Sequence, residues 1–462
     1  MTRLDDIYDE MDAHIDALVK HSKKLRPLVD EARTLSSEGG GGGDATIVSD
    51  AEELAEALLA GGAITAAAGT YVGNFVVSAP THLTLLGTTL QPLDALEPVL
   101  TVRSDDVYVL GGTVENGAPD RDTIIVGDFD ATEADAQPRN VTFEDVTVQA
   151  GPQGGHRAFA LHGAAITVRE CRVYGFWEVG RDAQAVWMHN GPGPYTITDN
   201  YLEASGENIL VGGDTIHIAD CVPSDILIDG NVCAKPKEWK SLTPSPSIKN
   251  NIELKIGRRV LITNNICDGN WDAGQDGTPI VITVRNQNGD TPWAIVDEVT
   301  ITGNTTKRCP KGFAISVLGM DDVHPSQQTQ TLSIDHNLFT DSPNGVKIGN
   351  GVARQLTMLN NTLPAVASNF LTFYDSRKSV VKSPFAFRDN VTKQGAYGIS
   401  GDGTAPGTPA LDKFCTNVDF NGNYLERHPA RQIPVPGENT WFDELPIDPV
   451  TFKVTDGSGK GY

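Results

Sequence analysis

Two residues of opposite charge, Glu253 and Lys255, alternate with Ile252, Leu254 and Ile256 in the segment IELKIG (252–257). A period of two places the charged pair on one face of a strand and the aliphatics on the other. The same alternation turns Thr283 and Arg285 outward in IVITVRNQ (280–287) and Trp187 and His189 outward in AVWMHNG (185–191). It also turns Ser316 outward in ISVLGM (315–320) and Lys347 in GVKIGN (345–350). A carboxylate, several cations and aromatic rings on one wall suit the handling of a glycan. Lysine and arginine clamp the carboxylates of an acidic sugar, and Trp187, Trp271 or Trp293 offers a flat surface to a sugar ring.

Glu253, Lys255 and Arg285 are therefore the catalytic candidates, and Trp187, His189, Lys347 and Trp271 the substrate-binding ones. Glycoside hydrolysis needs a second carboxylate, about 5–5.5 Å from the first for retention or about 6.5–9.5 Å for inversion. Loop acids Asp214, Asp272 and Asp276 are the partners available to Glu253. β-Elimination from a uronate needs a Lys or Arg base beside a neutralising group, which Lys255 and Arg285 supply by type. The competing reading is a solvated charge ladder in which Lys255 or Arg285 neutralises Glu253.

Such a wall requires strands stacked side by side, and the sequence repeats a phrase that would build them. YTITDNYL (195–202), ILIDGNVC (226–233), VLITNNIC (260–267), VTITGNTT (299–306) and LSIDHNLF (332–339) each join a short strand to a turn carrying Asn. The asparagines are 200, 231, 265, 304, 337, 361, 390 and 423, separated by 24 to 39 residues. With β-branched residues and no long helical period, this spacing predicts a solenoid of strands. Coils must stack strand on strand, about 4.8 Å apart, while the loops between strands lengthen outward at small cost. The recurring Asn is expected at the turn itself, in left-handed backbone, with its amides bonded along the axis as a ladder. Cys233 and Cys267 then stack as buried free thiols.

A short helix opens this region, with Asp50 as N-cap, Glu53 three residues on, and Gly61 and Gly62 at its end. That helix, the AAGTYVGNF segment and the Asn-bearing phrases resemble right-handed parallel β-helix proteins of the pectate-lyase-like superfamily, over about residues 47–425. The resemblance implies an all-β fold, a right-handed parallel β-helix with an N-terminal capping helix, whose ligands bind an outer face. It leaves function open, since this fold hosts lyases, hydrolases, epimerases, adhesins and phage tailspikes. The calcium-binding aspartates and arginine base of the pectate lyases have no counterpart at any position here.

Ahead of the solenoid, Leu4, Ile7, Met11, His14, Leu18, His21 and Leu25 follow the 3-4 spacing of a heptad seam, read either as a short coiled coil or as an amphipathic helix docking onto a partner, and in both readings a separate attachment or oligomerisation module over 1–38. Five consecutive glycines make residues 39–46 a tether, and a Pro-rich tail or cap occupies 426–462. The net charge of −24 argues against nucleic acid and anionic membranes as partners. No apolar run reaches the length of a membrane span, and the acidic N-terminus lacks the apolar core of a secretory signal. Six scattered cysteines make no zinc site, and GNWDAGQDG (269–277) lacks the acidic spacing of a calcium loop, so no cofactor is expected.

A helix and tether ahead of a β-helix without an export signal resemble a virion tailspike or receptor-binding protein of a tailed phage. That resemblance implies attachment to other tail or baseplate proteins through residues 1–38, a homotrimer, and recognition of host surface polysaccharide, with or without depolymerisation. The alternatives are a bacterial polysaccharide lyase or glycoside hydrolase, and a non-enzymatic structural or adhesive β-helix in a larger assembly.

Overall fold

The computed structural model describes residues 45–377 and 381–462. The predicted helix over 1–38 and most of the glycine tether lie outside the described residues. From Thr46 onward the chain winds as a parallel β-helix whose three sheets hold 14, 12 and 14 strands, each sheet taking every third strand in sequence order through the body of the column. Every strand pair within these sheets is parallel, as in Ile228–Ile262–Ile301–Ile334 of the first sheet. Those aliphatics point inward and are fully buried, so each coil fills the interior left by the one before. Toward the C-terminal end phenylalanines take over the stacking, with Phe387 and Phe420 rings 5.0 Å apart and nearly parallel.

The asparagines form one continuous chain of amides. The backbone N–H and side-chain Nδ2 of Asn200 both donate to Oδ1 of Asn231, and the pattern repeats through Asn265, Asn304, Asn337, Asn361, Asn390 and Asn423. It extends one rung further, to Asn439. The left-handed backbone, however, falls one residue earlier than expected, at Asp199, Gly230, Asn264, Gly303, His336, Asn360, Asp389 and Gly422. The division of labour is physical. The half-buried or exposed residue absorbs the turn, and the Asn after it is free to turn its amide inward and bond both neighbours.

The opening helix spans Ala51–Ala60, with Asp50 accepting from the Glu53 N–H and Gly61 donating back to the Ala57 carbonyl. Its Leu54 and Leu58 are buried in the core. At the other end a helix at Thr408–Phe414 buries Ala410, Leu411 and Phe414. The strand Thr440–Phe442 continues the third sheet past residue 425, pairing with Tyr424–Glu426. Cys233 and Cys267 are partners in register, and all six cysteines are buried free thiols.

The second sheet carries the wall that matters for chemistry, and its strands approach closely. Gly345, in the strand Asn344–Gly349, lies against Phe370 of the next coil, where a Cβ would collide with the Phe370 carbonyl. Gly345→Ala is expected to destabilise the fold by about 2 kcal/mol or more through forced separation of the coils. A thermal midpoint equal to that of the parent protein would contradict this register.

Candidate active site

Register in the second sheet sets the outward columns. Trp187, Leu210, Glu253, Val281, Ser316, Lys347 and Thr372 stand one above another. Between the C-terminal members of this column and the flanking loops lies a groove of about 350 Å³, lined by Glu253, Asp276, Arg285, Asp322, Lys347 and Tyr374. Asp276 comes from the loop leading into the strand Ile280–Thr283, and Asp322 from the loop after Phe313–Leu318.

Each cation of the groove is held by an acid. Arg285 Nη1 donates to Asp321 at 2.7 Å and to Asp322 at 2.5 Å, and the Asn286 N–H donates to the same Asp321 at 2.7 Å. Burial opposes the charge on Arg285, but the bond to Asp322 and the two carboxylates outweigh it and push its pKa up. Lys347 Nζ sits 3.3 Å from Asp276 Oδ2 and 5.3 Å from the Phe313 and Tyr374 ring centres. Asp276 is also fixed by the Thr278 hydroxyl, 2.7 Å away.

Glu253 differs from these paired acids. Only 4% exposed, it meets the groove at its edge, and its nearest cation is Lys255, with Nζ 3.9 Å from Oε2. Burial pushes its carboxyl up to about 7; Lys255 and Lys249 pull down, and the neighbouring carboxylate of Glu207 pushes further up. The group is thus half-protonated near neutrality, where an ordinary glutamate is ionised.

The remaining candidates have other surroundings. Trp187 lines a second groove, of about 520 Å³, two coils from Glu253 on the same wall. One face of its ring is covered by the Arg157 guanidinium at 3.9 Å, and its Nε1 donates to the Gly212 carbonyl. His189 is wholly buried, stacked on Trp187 and Phe129, with Nε2 2.9 Å from the Thr215 carbonyl oxygen. Burial pushes its imidazole down to about 4, so it is neutral at ordinary pH. Trp271 packs with Trp239 and Ile248 in a separate cluster, under the Lys240 ammonium. Trp293 donates its Nε1 hydrogen to the Cys221 carbonyl. Of the loop acids, Asp214 lines the second groove and Asp272 faces Lys311 at 3.8 Å, leaving Asp276 in the groove with Glu253.

Asp322 and Tyr374 line the groove, and Lys249 and Glu207 act on Glu253, though alternation singled out none of the four. Glu207 is the first residue of the strand Glu207–Val211 and by parity with Ile209 belongs inside. It lies where the chain turns from the third sheet into the second, and there alternation no longer fixes the side of a residue. Among the described residues no group of three or more His, Cys, Asp and Glu is gathered closely enough to hold a metal ion. No helix among them is long and apolar enough to cross a membrane.

The raised Glu253 has a consequence for stability that can be measured without a substrate. In the unfolded chain its pKa is about 4.3. Between that value and about 7 the folded protein binds the extra proton, so this carboxyl costs nothing below pH 4 and costs most above pH 7. Glu253→Gln removes the cost. Its stability relative to the parent protein should rise by about 2 kcal/mol between pH 4.5 and 8. Denaturant unfolding at the two pH values checks the sign.

The three parallel sheets define the class of protein, a parallel β-helix, and the family described as right handed beta helix region matches residues 136–363, just under half of the chain. No curated protein sequence matches the chain. Among solved structures, the alginate lyase from Paenibacillus sp. str. FPU-7 is similar at 12% identity and TM-score 0.42, over 78% of this chain and 98% of that one. The catalytic unit of thermostable GH87 α-1,3-glucanase from Streptomyces thermodiastaticus strain HF3-3 is similar at 14% and 0.46, over 87% and 68%. The tailspike protein of E. coli bacteriophage HK620, in complex with a pentasaccharide, is similar at 13% and 0.44, over 84% and 74%. Likenesses this distant leave the chemistry to be argued from the side chains of this chain.

Proposed function

We propose that the chain binds a polysaccharide along the outer wall of its second sheet and hydrolyses a glycosidic bond in the Glu253 groove. The observation that carries this reading is a carboxyl poised near pH 7, opening onto a groove that also presents the ionic-paired carboxylate of Asp276. Glu253 protonates the departing glycosidic oxygen as the bond to the anomeric carbon breaks. Asp276, oriented by Lys347 and Thr278, either activates water or attacks the anomeric carbon; the separation adopted with sugar bound decides between inversion and retention. Tyr374 and Ser316 offer hydroxyls to the sugar, and Lys347 and Arg285 give the groove cations for an acidic residue.

Hydrolysis is favoured over β-elimination because of Arg285. A guanidinium hydrogen-bonded to two aspartates has no means of accepting a proton, which an eliminating base must do. Lys255 is the residual base candidate for a lyase. The finer assignment we infer is a virion-borne tailspike or receptor-binding protein of a tailed phage, homotrimeric, that recognises host surface polysaccharide. Its support is the heptad-like spacing and glycine run of residues 1–46 ahead of a glycan-sized groove.

Purified protein incubated with a panel of capsular and O-antigen polysaccharides tests the chemistry. New reducing ends without the ultraviolet absorbance of an unsaturated uronate are expected. Unsaturated products would establish a lyase instead, and binding without any chain scission would leave an adhesive β-helix.

A further inference from the structure

The larger groove on the wall, of about 520 Å³, has a construction that the chemistry at Glu253 does not use. The loop after the strand Asp122–Val126 brings Phe129 to its lining, and two buried amides hold that loop in place. Asn190 Nδ2 donates to the Phe129 carbonyl at 3.0 Å and to the Ala131 carbonyl at 2.7 Å. Its Oδ1 accepts from the backbone N–H groups of His217 and Ile218, so the segment after Asp214 is tied to the same amide. Gln137 Nε2 joins the carbonyls of Asp128 and Asn190, at 2.7 and 2.6 Å. The Phe129 ring is thereby set against His189, stacked at 5.3 Å, and His217, edge-on at 5.2 Å. An aromatic ring fixed in this way loses little freedom when a ligand lies against it.

The polar groups beside the ring supply donors and acceptors together. His162, 1% exposed, is part of the lining, and its Nδ1 accepts from the Asn190 N–H, so its hydrogen sits on Nε2. Burial, with His189 and Arg157 nearby, holds this imidazole neutral, which makes it a fixed donor without charge. Arg103 lines the groove exposed, with no side-chain partner among the described residues. Of the four acids in the lining, Asp122 is paired with Arg157 at 3.2 Å. That leaves Glu97, Asp128 and Asp214 against the single guanidinium of Arg103. A surplus of carboxylates repels a uronate, sulfate or phosphate and accepts hydrogen bonds from hydroxyls. From this geometry we propose that the Phe129 groove is a separate subsite for an uncharged sugar residue. Phe129 takes the C–H face of the sugar, His162 and Arg103 donate to its oxygens, and Asp128 and Asp214 accept from its hydroxyls. Trp187 in the lining stands two coils from Glu253, about 10 Å along the wall, so one glycan chain spans both grooves. The subsite rests on the polysaccharide-binding reading above and not on hydrolysis.

Phe129→Ala and Arg103→Ala test the subsite, each made in the Glu253→Gln background so that no fragment is consumed. Partial acid hydrolysates of capsular and O-antigen polysaccharides are separated by anion exchange into uncharged and acidic pools. Both pools are passed over the immobilised protein, and retained fragments are identified by mass spectrometry. Fragments of the uncharged pool are expected to be retained, with an affinity about tenfold lower in each variant. Arg103 is exposed and packs against nothing essential, so its variant folds even where Phe129→Ala does not. Retention of the acidic pool alone, retention of neither pool, or affinity unaltered in Arg103→Ala overturns the subsite, even in a protein that cleaves the polymer. Affinities that fall as stated, in a parent protein that cleaves no glycan, keep the subsite and overturn the hydrolase reading instead.

Discussion

Replacing Asn265 by alanine is expected to lower the stability of the solenoid by about 3–5 kcal/mol, close to the full stability of many domains. The residue is wholly buried and sits in the middle of the ladder. Its Oδ1 accepts from the backbone and side-chain nitrogens of Asn231, both at 2.9 Å. Its Nδ2 donates to the carbonyls of Ile228 and Thr263 at 2.9 Å and to Asn304 Oδ1 at 3.0 Å. Alanine leaves the Asn231 backbone N–H without its acceptor, takes one of the two bonds of the Asn231 amide, which keeps the Ile197 carbonyl, and removes the side-chain bond to the Ile228 carbonyl, all in a dry interior where each unmet group costs about 1–3 kcal/mol; Asn304 keeps its bond to the residue 265 backbone. Its neighbour Asn264 is the internal control. Exposed and left-handed at φ 54°, it bonds Asp229 on the surface through its side chain and keeps its backbone bond to the Thr302 carbonyl in either variant, so Asn264→Ala should cost about 1 kcal/mol, the strain of an alanine in that backbone. Urea denaturation of the two single mutants separates them. Equal losses would mean that the turn, and not the amide ladder, stabilises each coil.

That contrast also marks how far the sequence could be read. The period of the asparagines is visible because each coil must present the same group at the same corner, and chemistry that satisfies its neighbour recurs with the geometry. The phase within the turn is not visible. Asp199, Gly230 and Asn264 share the left-handed site with His336, and nothing common to their side chains advertises it. Asn439 escaped notice because only 16 residues separate it from Asn423, well below the spacing elsewhere. On the second sheet, alternation correctly places Glu253, Arg285 and Lys347 on one wall, since aliphatics at Ile252, Ile282 and Ile348 fix the inward side. It says nothing of what covers that wall. Trp187 and His189 are on the outer face by parity, yet Arg157 and Phe129, arriving from other coils, close over them. Loops that vary in length between coils carry Asp276 and Asp322, and no period predicts where a loop returns.

Glu253→Gln is expected to reduce glycan cleavage by about 10²–10⁴-fold while leaving oligosaccharide affinity nearly unchanged. Glutamine fills the same volume at the edge of the groove and still meets Lys255, but its amide has no proton to give at the pH where the carboxyl is half-protonated. The loss therefore belongs in kcat, with KM little altered. In the parent protein the rate should fall as pH rises through about 7, because the acid form of Glu253 is consumed there. The residual activity of the glutamine variant should lose this alkaline limb, since no carboxyl remains at position 253 to titrate. Asp276→Asn provides the complementary loss: it removes the groove's other candidate carboxylate, leaves Lys347 without its acid partner, and should cut turnover severely while the alkaline limb of the residual rate persists. Loss of the alkaline limb in one variant and its persistence in the other thus assign acid and base separately, and a solvated charge ladder, with no proton to move, would show neither effect.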